Sequence, residues 1–351
     1  VILDQLAVPI VLAPLAGGPT TPELAAAVSN AGGLGFLAAG YLPAATLRDQ
    51  IAAARALTEA PLGVNVFVPG SPAAREPVDR YAATLAADAS RTGAELGAPR
   101  FETDDWEAKL ELLSSDPLPV TSFTFGCPEP GETAPLRAAG TEIWITVASP
   151  ADAEVAAAAG ADVLVVQGSE AGGHRSSFRD DPAGDSGSGF GLLALIQLVR
   201  ARVDLPLVAA GGISTGAGVA AVLAAGASAA QLGTAFLRSP EAGTAPVHRA
   251  AIASSADTAM TRAFTGRLAR GIRNRFMDDH ADAPSAYPEV HRLTAPLRAA
   301  ARAAGDADLI NLWAGQAHEL SREQPAAELV AALARDARAA LAAASGRLPA
   351  G

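Results

Sequence analysis

Residues 150–167 read Pro-Ala-Asp-Ala-Glu-Val-Ala-Ala-Ala-Ala-Gly-Ala-Asp-Val-Leu-Val-Val-Gln, which is one helix, one turn and one strand in succession. Ser149 offers a side-chain cap, Pro150 occupies the first helical position and Asp152 places an acid in the first turn. Gly160 follows the alanine run where a left-handed residue is wanted. The apolar run 163–167 is continuous rather than alternating, as expected of a strand covered on both faces. Residues 215–232 repeat the pattern: an Ala-rich helix, Gly226 within Ala-Gly-Ala, then a short strand with Gln231 near its end. Two such echoes mark a chain built from βα units.

Working outward, short apolar runs at 10–13, 34–37, 62–66, 120–123, 142–147, 163–167, 207–210 and 229–232 alternate with Ala-rich stretches. Eight parallel strands are the number that closes a barrel filled by side chains. The expected fold class is therefore α/β, a TIM (β/α)8 barrel. Residues 1–240 form the barrel, with a charged helical insertion at about 71–117, after the third strand. Residues 241–351 carry the last barrel helix and a helical extension packed on the barrel in the same unit. Helices are expected at 245–264, 288–304 and 326–344, capping one mouth. The loop 168–191, rich in Gly, Ser and Asp, is too long for a simple βα turn and is read as functional.

Composition narrows the function. Of 351 residues half are hydrophobic and 18% charged, enough apolar material for a large core. Lys and Arg number 26 against 37 Asp and Glu, a net charge of -11, which argues against nucleic-acid or anionic-membrane partners. A single cysteine, Cys127, excludes an internal disulfide and a Cys-based zinc cage. No uninterrupted run of eighteen apolar residues appears, and a cytoplasmic enzyme is expected. No pair of histidines shares metal-ligand spacing with a carboxylate, so no metal is expected.

In a βα barrel the chemistry lies at the carboxyl ends of the strands. Gly211-Gly212-Ile213-Ser214 after the seventh strand and Gly233-Thr234 after the eighth offer backbone donors for a phosphate. His174, reached through Gly172-Gly173, presents an imidazole suited to acid–base work or to binding an anion. His248, His280, His291 and His318 fall in the post-barrel region and read as structural or surface groups. Asn65 and Gln167 are amides at strand ends, facing either a heterocycle or neighbouring backbone. Glu170 reads as solvated or as a helper of His174, Cys127 as inert, and the stretch 267–275 with Arg267, Arg270 and Arg273 as ties between helices or, second, as contacts to an anionic ligand. The apolar strand ends around Phe36 and Phe123 are expected to give the site a dry wall.

The run Ala13-Pro14-Leu15-Ala16-Gly17-Gly18-Pro19-Thr20-Thr21-Pro22-Glu23-Leu24, continuing to Asn30-Ala31-Gly32-Gly33-Leu34-Gly35, resembles the opening of the nitronate monooxygenases, formerly 2-nitropropane dioxygenases. The loop from Gln167 to His174, Ala209-Ala210-Gly211-Gly212-Ile213 and Gln231-Leu232-Gly233-Thr234-Ala235-Phe236 resemble that family's later motifs. Phe264-Thr265-Gly266-Arg267, Gly271-Ile272-Arg273-Asn274 and Leu312-Trp313-Ala314-Gly315-Gln316 extend the likeness, closest to the class I enzymes, over nearly the whole chain. The resemblance implies an FMN-dependent, metal-free barrel that oxidises alkyl nitronates, such as propionate 3-nitronate, with molecular oxygen. It implies His174 as the catalytic residue and Asn65, Gln167, Gly172, Gly212, Gln231, Leu232, Gly233 and Thr234 as the FMN-binding residues. Leu15 stands where the family usually carries Met, and the segment after Arg275 departs more. The alternatives are a flavin enoyl-ACP reductase using NAD(P)H and a non-catalytic phosphate-ligand-binding barrel. A homo-oligomer is compatible with any of these.

Overall fold

The computed structural model describes residues 1–180 and 189–347, so positions 181–188 of the long loop lie outside the described residues. Its strands are β1 (Ile10–Leu12), β2 (Gly35–Ala38), β3 (Leu62–Phe67), β4 (Val120–Thr124), β5 (Glu142–Val147), β6 (Val163–Gln167), β7 (Gly173–His174), β8 (Leu207–Ala210), β9 (Ala229–Leu232), β10 (Thr258–Thr261) and β11 (Ala269–Ile272). Eight pair in parallel in the order β1-β9-β8-β6-β5-β4-β3-β2. A parallel bridge from Val11 to Leu34 closes the ring: Leu12 N donates to Leu34 O at 2.9 Å and Leu34 N to Ile10 O at 3.0 Å. The eight expected strands coincide with these eight to within a residue or so at each end.

The cap expected at Ser149 holds as well, and two threonines cap other helices in the same way. Thr21, Ser149 and Thr215 accept bonds from the amides of Leu24, Asp152 and Gly218 at 3.0–3.1 Å, each cap worth about 1 kcal/mol. Inside the barrel Phe36 tilts against Trp144 with ring centroids 5.6 Å apart, among Val11, Val120, Val165 and Val208. Gly63 makes room for this layer, because a Cβ there would lie 2.6 Å from the Phe36 ring. The amino-terminal mouth is plugged by the 3-10 turn Ile2–Gln5, whose Ile2 amide donates to the Glu142 carboxylate at 2.6 Å. Outward-facing strand residues such as Val64, Ile145, Leu164 and Val166 pack beneath the helices.

The insertion after β3 is helical as expected, with helices Arg75–Thr84, Ala86–Thr92 and Trp106–Ser115. The last of these packs on the barrel core through Trp106, Leu112 and Leu113. The first two instead share a separate core with Phe264, Phe276, Val290 and Leu297 from beyond β9.

Two expectations for the post-barrel region need correction. The helix expected at 245–264 is only Pro246–Ile252, and the chain then extends into β10, paired antiparallel with β11. The polar run Ser254-Ser255-Ala256-Asp257 ends the helix, and Thr258 and Thr261 enter a strand whose partner is eight residues on. The terminal helix Ala326–Ser345 does not cap a mouth. It packs between Gly216–Ala224 and Pro22–Asn30 and completes the outer ring. Helix Glu289–Ala304 lies at the carboxyl mouth, where the residues of interest gather. Among the described residues no helix is long and apolar enough to cross a membrane.

Candidate active site

The carboxyl ends of the strands surround a cleft with about 1200 Å³ of free space, open on one side to solvent. Its walls include Asn65, Gln167, Gly172, His174, Gly212, Gln231, Gly233 and Thr234, so seven of the eight expected cofactor residues and the expected catalytic histidine converge. Leu232 does not line it. Its side chain is buried among the strand–helix apolar layer, which leaves only its backbone near the cleft. Strand alternation is the reason: Gln231 and Leu232 face opposite sides.

The amides at the strand ends divide into two kinds. Gln167 is held from within: its Nε2 donates to His174 O at 2.9 Å, and its Oε1 accepts from Ser176 N at 3.0 Å, Ser176 Oγ at 3.1 Å and Arg175 Nη1 at 3.2 Å. It holds the histidine loop, and the second N–H of its Nε2 has no partner among the described residues. Asn65 donates through Nδ2 to Ser122 Oγ and Thr124 Oγ1, both at 2.9 Å, leaving its carbonyl oxygen unbonded among the described residues. Gln231, only 6% exposed, has no hydrogen-bond partner among the described residues and lines the cleft. Its amide opens onto the cleft, where it is available to a ligand with donors and acceptors of its own.

On the opposite wall Gly211 and Gly212 hold φ of +123° and +65°, the left-handed region that bulky side chains avoid. They precede helix Gly216–Ala224, whose amino-terminal amides carry positive partial charge. Gly233 and Thr234 face them, with the Thr234 hydroxyl accepting from Gly315 N at 3.0 Å. Gly172 serves packing: a Cβ there would lie 2.5 Å from the backbone of Ala314 and Gly315. Glu170 neither is solvated nor assists His174. Its carboxylate caps helix Leu192–Arg200 by accepting from Leu192 N at 2.9 and 3.0 Å.

His174 sits on β7, which pairs antiparallel with β11, opposite Ala269. The segment beyond the eighth barrel strand thus fixes the histidine in place. Its Nε2 lies 2.9 Å from Thr265 Oγ1, and Phe125, Tyr287 and Trp313 surround the ring at centroid distances of 5.5–5.8 Å. Burial, then the Arg267 and Arg298 guanidinium groups, push its pKa down to about 3. The expectation of an imidazole titrating near neutrality is therefore corrected. Dry aromatic walls and two nearby cations disfavour a third positive charge. The ring is neutral at physiological pH.

The dry wall itself is made of other residues than expected. Phe36 fills the barrel interior and Phe123 packs outward on Trp106, whereas Phe67, Phe125, Tyr41 and Trp313 line the cleft. Phe36 points inward but lies a layer beneath the mouth, and Phe125, just past the end of β4 at a φ of +82°, is turned into the cleft where Phe123 is not. Arg267, 7% exposed, lies 3.9 Å over the Phe125 ring and donates to the carbonyls of Arg175 and Ser177. Arg270 donates to Ser169 O at 2.9 Å, and Arg273 pairs with Asp278, so the stretch is structural, tying loops rather than the expected helices. His248 bonds Trp313 O, His280 pairs with Asp88, and His318 lies between the carbonyls of Ile252 and Ala256, all structural. His291 stacks flat on Tyr41 at 4.2 Å. Cys127 is half-buried with its thiol pushed up to about 12 by burial, an inert group at neutral pH.

Sequence reading passed over Tyr41, Tyr287, Thr265 and Arg298. Tyr41 carries a positive φ of +69°, and its amide donates to Asp104 Oδ1 at 3.0 Å, a geometry no local motif announces. Thr265 lies within a motif already noted, but its contact with His174 spans 91 residues.

Comparison with known proteins agrees with this geometry. Residues 2–336 match the family model described as nitronate monooxygenase. A nitronate monooxygenase of Pseudomonas aeruginosa is 40% identical over 342 residues, covering 94% of this chain and 96% of that one. The solved structure of a nitroalkane oxidase from Streptomyces ansochromogenes superposes with a TM-score of 0.95 at 50% identity, covering 98% and 99% of the two chains. FabK from Thermotoga maritima is more distant, with a TM-score of 0.78 at 27% identity.

Proposed function

The chain belongs to the nitronate monooxygenase family of flavin oxidoreductases, and we propose that its cleft holds FMN and oxidises alkyl nitronates with molecular oxygen. The observation that carries the proposal is the neutral, caged His174 at the mouth of a cleft walled by an unpartnered amide and two glycine loops. The residues fit such a cofactor. Gly212, Gly233 and Thr234, with the helix amino terminus behind them, suit a phosphate. Gln231 and the free carbonyl of Asn65 suit a heterocycle with mixed donors and acceptors. Gly172, and Leu232 through its backbone, complete the set. When bound, the flavin supplies the electron acceptor for the nitronate and the electron donor to oxygen.

The chain's own work is then orientation and exclusion of water. A nitronate is already the conjugate base of its nitroalkane, so no general base is required to form it. A neutral imidazole fits that need better than a charged one, because it offers a hydrogen bond without trapping the anion as a tight ion pair. Thr265 at Nε2 fixes the ring, and the Gln167 amide fixes the backbone that carries it. Phe67, Phe125 and Trp313 keep the space around the ring apolar, which strengthens each remaining polar contact.

The test is the identity and placement of the flavin. Heating the purified protein is expected to release a yellow compound that co-elutes with FMN. Gly212→Val is expected to purify folded and colourless. Gly93→Val, at the same φ of +65° in the insertion with open space around it, carries the same backbone strain and is expected to keep its colour. A wild-type protein that neither carries nor takes up FMN, or full occupancy in Gly212→Val, overturns the assignment.

A further inference from the structure

Tyr41 forms part of the wall of three cavities at once: the flavin cleft, a small side cavity bounded by Phe67, Val68 and Pro288, and a third that runs toward Asn311. Its ring is wedged between the barrel and the segment beyond it. It stacks on His291 at 4.2 Å with the planes 2° apart, and it meets Phe67 edge-on at 5.5 Å. Gly40 lets the loop lie flush against the strand end, because a Cβ there would strike the Phe67 ring. A continuous aromatic wall leads from His174 to Tyr41. The ring centroids of His174 and Phe125 are 5.8 Å apart, those of Phe125 and Phe67 4.6 Å, and Phe125, Phe67 and Tyr41 all face the cleft.

The chain holds this ring in place against its own backbone preference. Among the described residues the non-glycine positions with positive φ are Tyr41 at +69°, Asp104 at +57°, Asp105 at +56° and Phe125 at +82°. All four belong to this stretch of wall or to the strap that grips it. Asp104 Oδ1 accepts from Tyr41 N at 3.0 Å, and Asp105 Oδ2 accepts from Ala44 N at 3.1 Å, so the insertion clasps the loop on both sides of the ring. Asp104 is itself anchored by Lys109, the only lysine in the sequence, which is fully buried with Nζ 2.8 Å from Asp104 Oδ2. Left-handed backbone at side-chain-bearing residues persists only where the surroundings over-determine it, and such positions gather at ligand walls. A strained tyrosine held by a buried ion pair is a ring whose position matters.

We propose that Tyr41 is a specificity-determining residue: its ring is the partition that ends the aromatic wall, and it sets the length of alkyl chain that a nitronate can carry when its reacting end lies at His174. The inference rests on the proposed nitronate chemistry and adds a limit on substrate size to it. Without the ring, the side cavity beside Phe67, Val68 and Pro288 becomes continuous with the cleft. An apolar tail that enters such a space gains about fourfold in affinity per methylene buried. With the ring in place the tail turns toward the open side of the cleft and gains nothing further.

Two series on the flavin-loaded protein test it. The first is kcat/KM for the unbranched 1-nitronates from ethyl to octyl. In the wild type the value is expected to rise with each methylene until the chain meets Tyr41, and then to level off or fall. Tyr41→Gly, a residue at ease at a φ of +69°, is expected to keep its flavin and to extend the rise, so that its octyl-to-butyl ratio exceeds that of the wild type by about 10-fold or more. Tyr41→Phe retains the ring and is expected to keep the wild-type profile. A loss in Tyr41→Gly that is uniform across all lengths marks a merely structural ring and overturns the proposal, as does a relaxed profile in Tyr41→Phe; both leave the nitronate chemistry standing. The second series is a calorimetric titration with straight-chain carboxylates from propanoate to octanoate, planar two-oxygen anions that do not react. Their affinity is expected to stop rising in the wild type and to go on rising in Tyr41→Gly. No turnover of any nitronate strikes the underlying reading instead, and the carboxylate series then still decides the partition. If Tyr41→Gly does not fold, Tyr41→Asn, which also tolerates that backbone, takes its place. An unbroken rise in affinity up to octanoate in the wild type, or binding at no length, refutes the partition without any variant.

Discussion

At the scale of single residues, a His174 pKa near 3 fits the proposed role of hydrogen bonding better than one of proton transfer. His174→Ala removes a contact to the reacting anion and leaves the phosphate loops untouched. We expect it to keep the wild-type flavin spectrum and to lose about 10²–10³-fold in kcat, the usual cost of removing one preorganised donor. Near wild-type turnover would remove His174 from the mechanism. The neutral ring also means that the pH profile of kcat/KM should lack an inflection near 6.5 assignable to this residue. The residue type and place of His174 were legible in the sequence, since a histidine after the sixth barrel strand must lie at the mouth. Its protonation state was not, because burial and the charges of Arg267 and Arg298 arrive from segments about ninety residues or more away.

At the scale of elements, the histidine loop is a clamp made of three parts. Gln167 at the end of β6 bonds the loop from beneath, β11 pairs with β7 from above, and Glu170 caps the following helix. Gln167→Ala leaves His174 O and the amide of Ser176 without their buried partners, a loss of roughly 1–3 kcal/mol. The variant is expected to melt lower and to show faster amide exchange confined to the loop around residues 168–176. Unchanged exchange there would place the clamp elsewhere. The barrel strands and helix caps were readable because each is local: an apolar run, a Pro at the first helical position, a glycine after the last turn. The β10–β11 hairpin was not, since Ala259, Met260 and Arg270 carry little strand preference and the pairing with β7 joins segments about 96 residues apart. The site's aromatic wall was missed for a similar reason, as Phe123 and Phe125 differ only in which way the strand end turns them.

At the scale of the whole molecule, half-buried neutral histidines link stability to pH. In the folded chain His174 and His248 titrate near 3 and 4, against 6.5 for the free side chain. Below 6.5 the unfolded chain takes up protons that the folded chain refuses, so stability is fully present above 6.5 and is lost as the pH falls toward the folded values. Each such ring contributes a slope of up to about 1.4 kcal/mol per pH unit. Chemical denaturation between pH 7.5 and 5, above the carboxylate range, should show this decline, and His174→Ala should flatten it. An unchanged slope in that variant would mean that the ring takes up its proton equally in the folded and unfolded chain. The barrel, its insertion and the segment beyond β9 together serve one claim: that an electron-rich anion reacts at the mouth without a nicotinamide partner. Oxygen uptake by the flavin-loaded protein tests it most directly, with propionate 3-nitronate or ethyl nitronate as substrate, in the presence and absence of NADH or NADPH. The account predicts uptake that requires the nitronate and is unchanged by either nicotinamide. Rapid anaerobic bleaching of the flavin by NADH or NADPH, with none by the nitronates, would contradict it and make the protein a reductase.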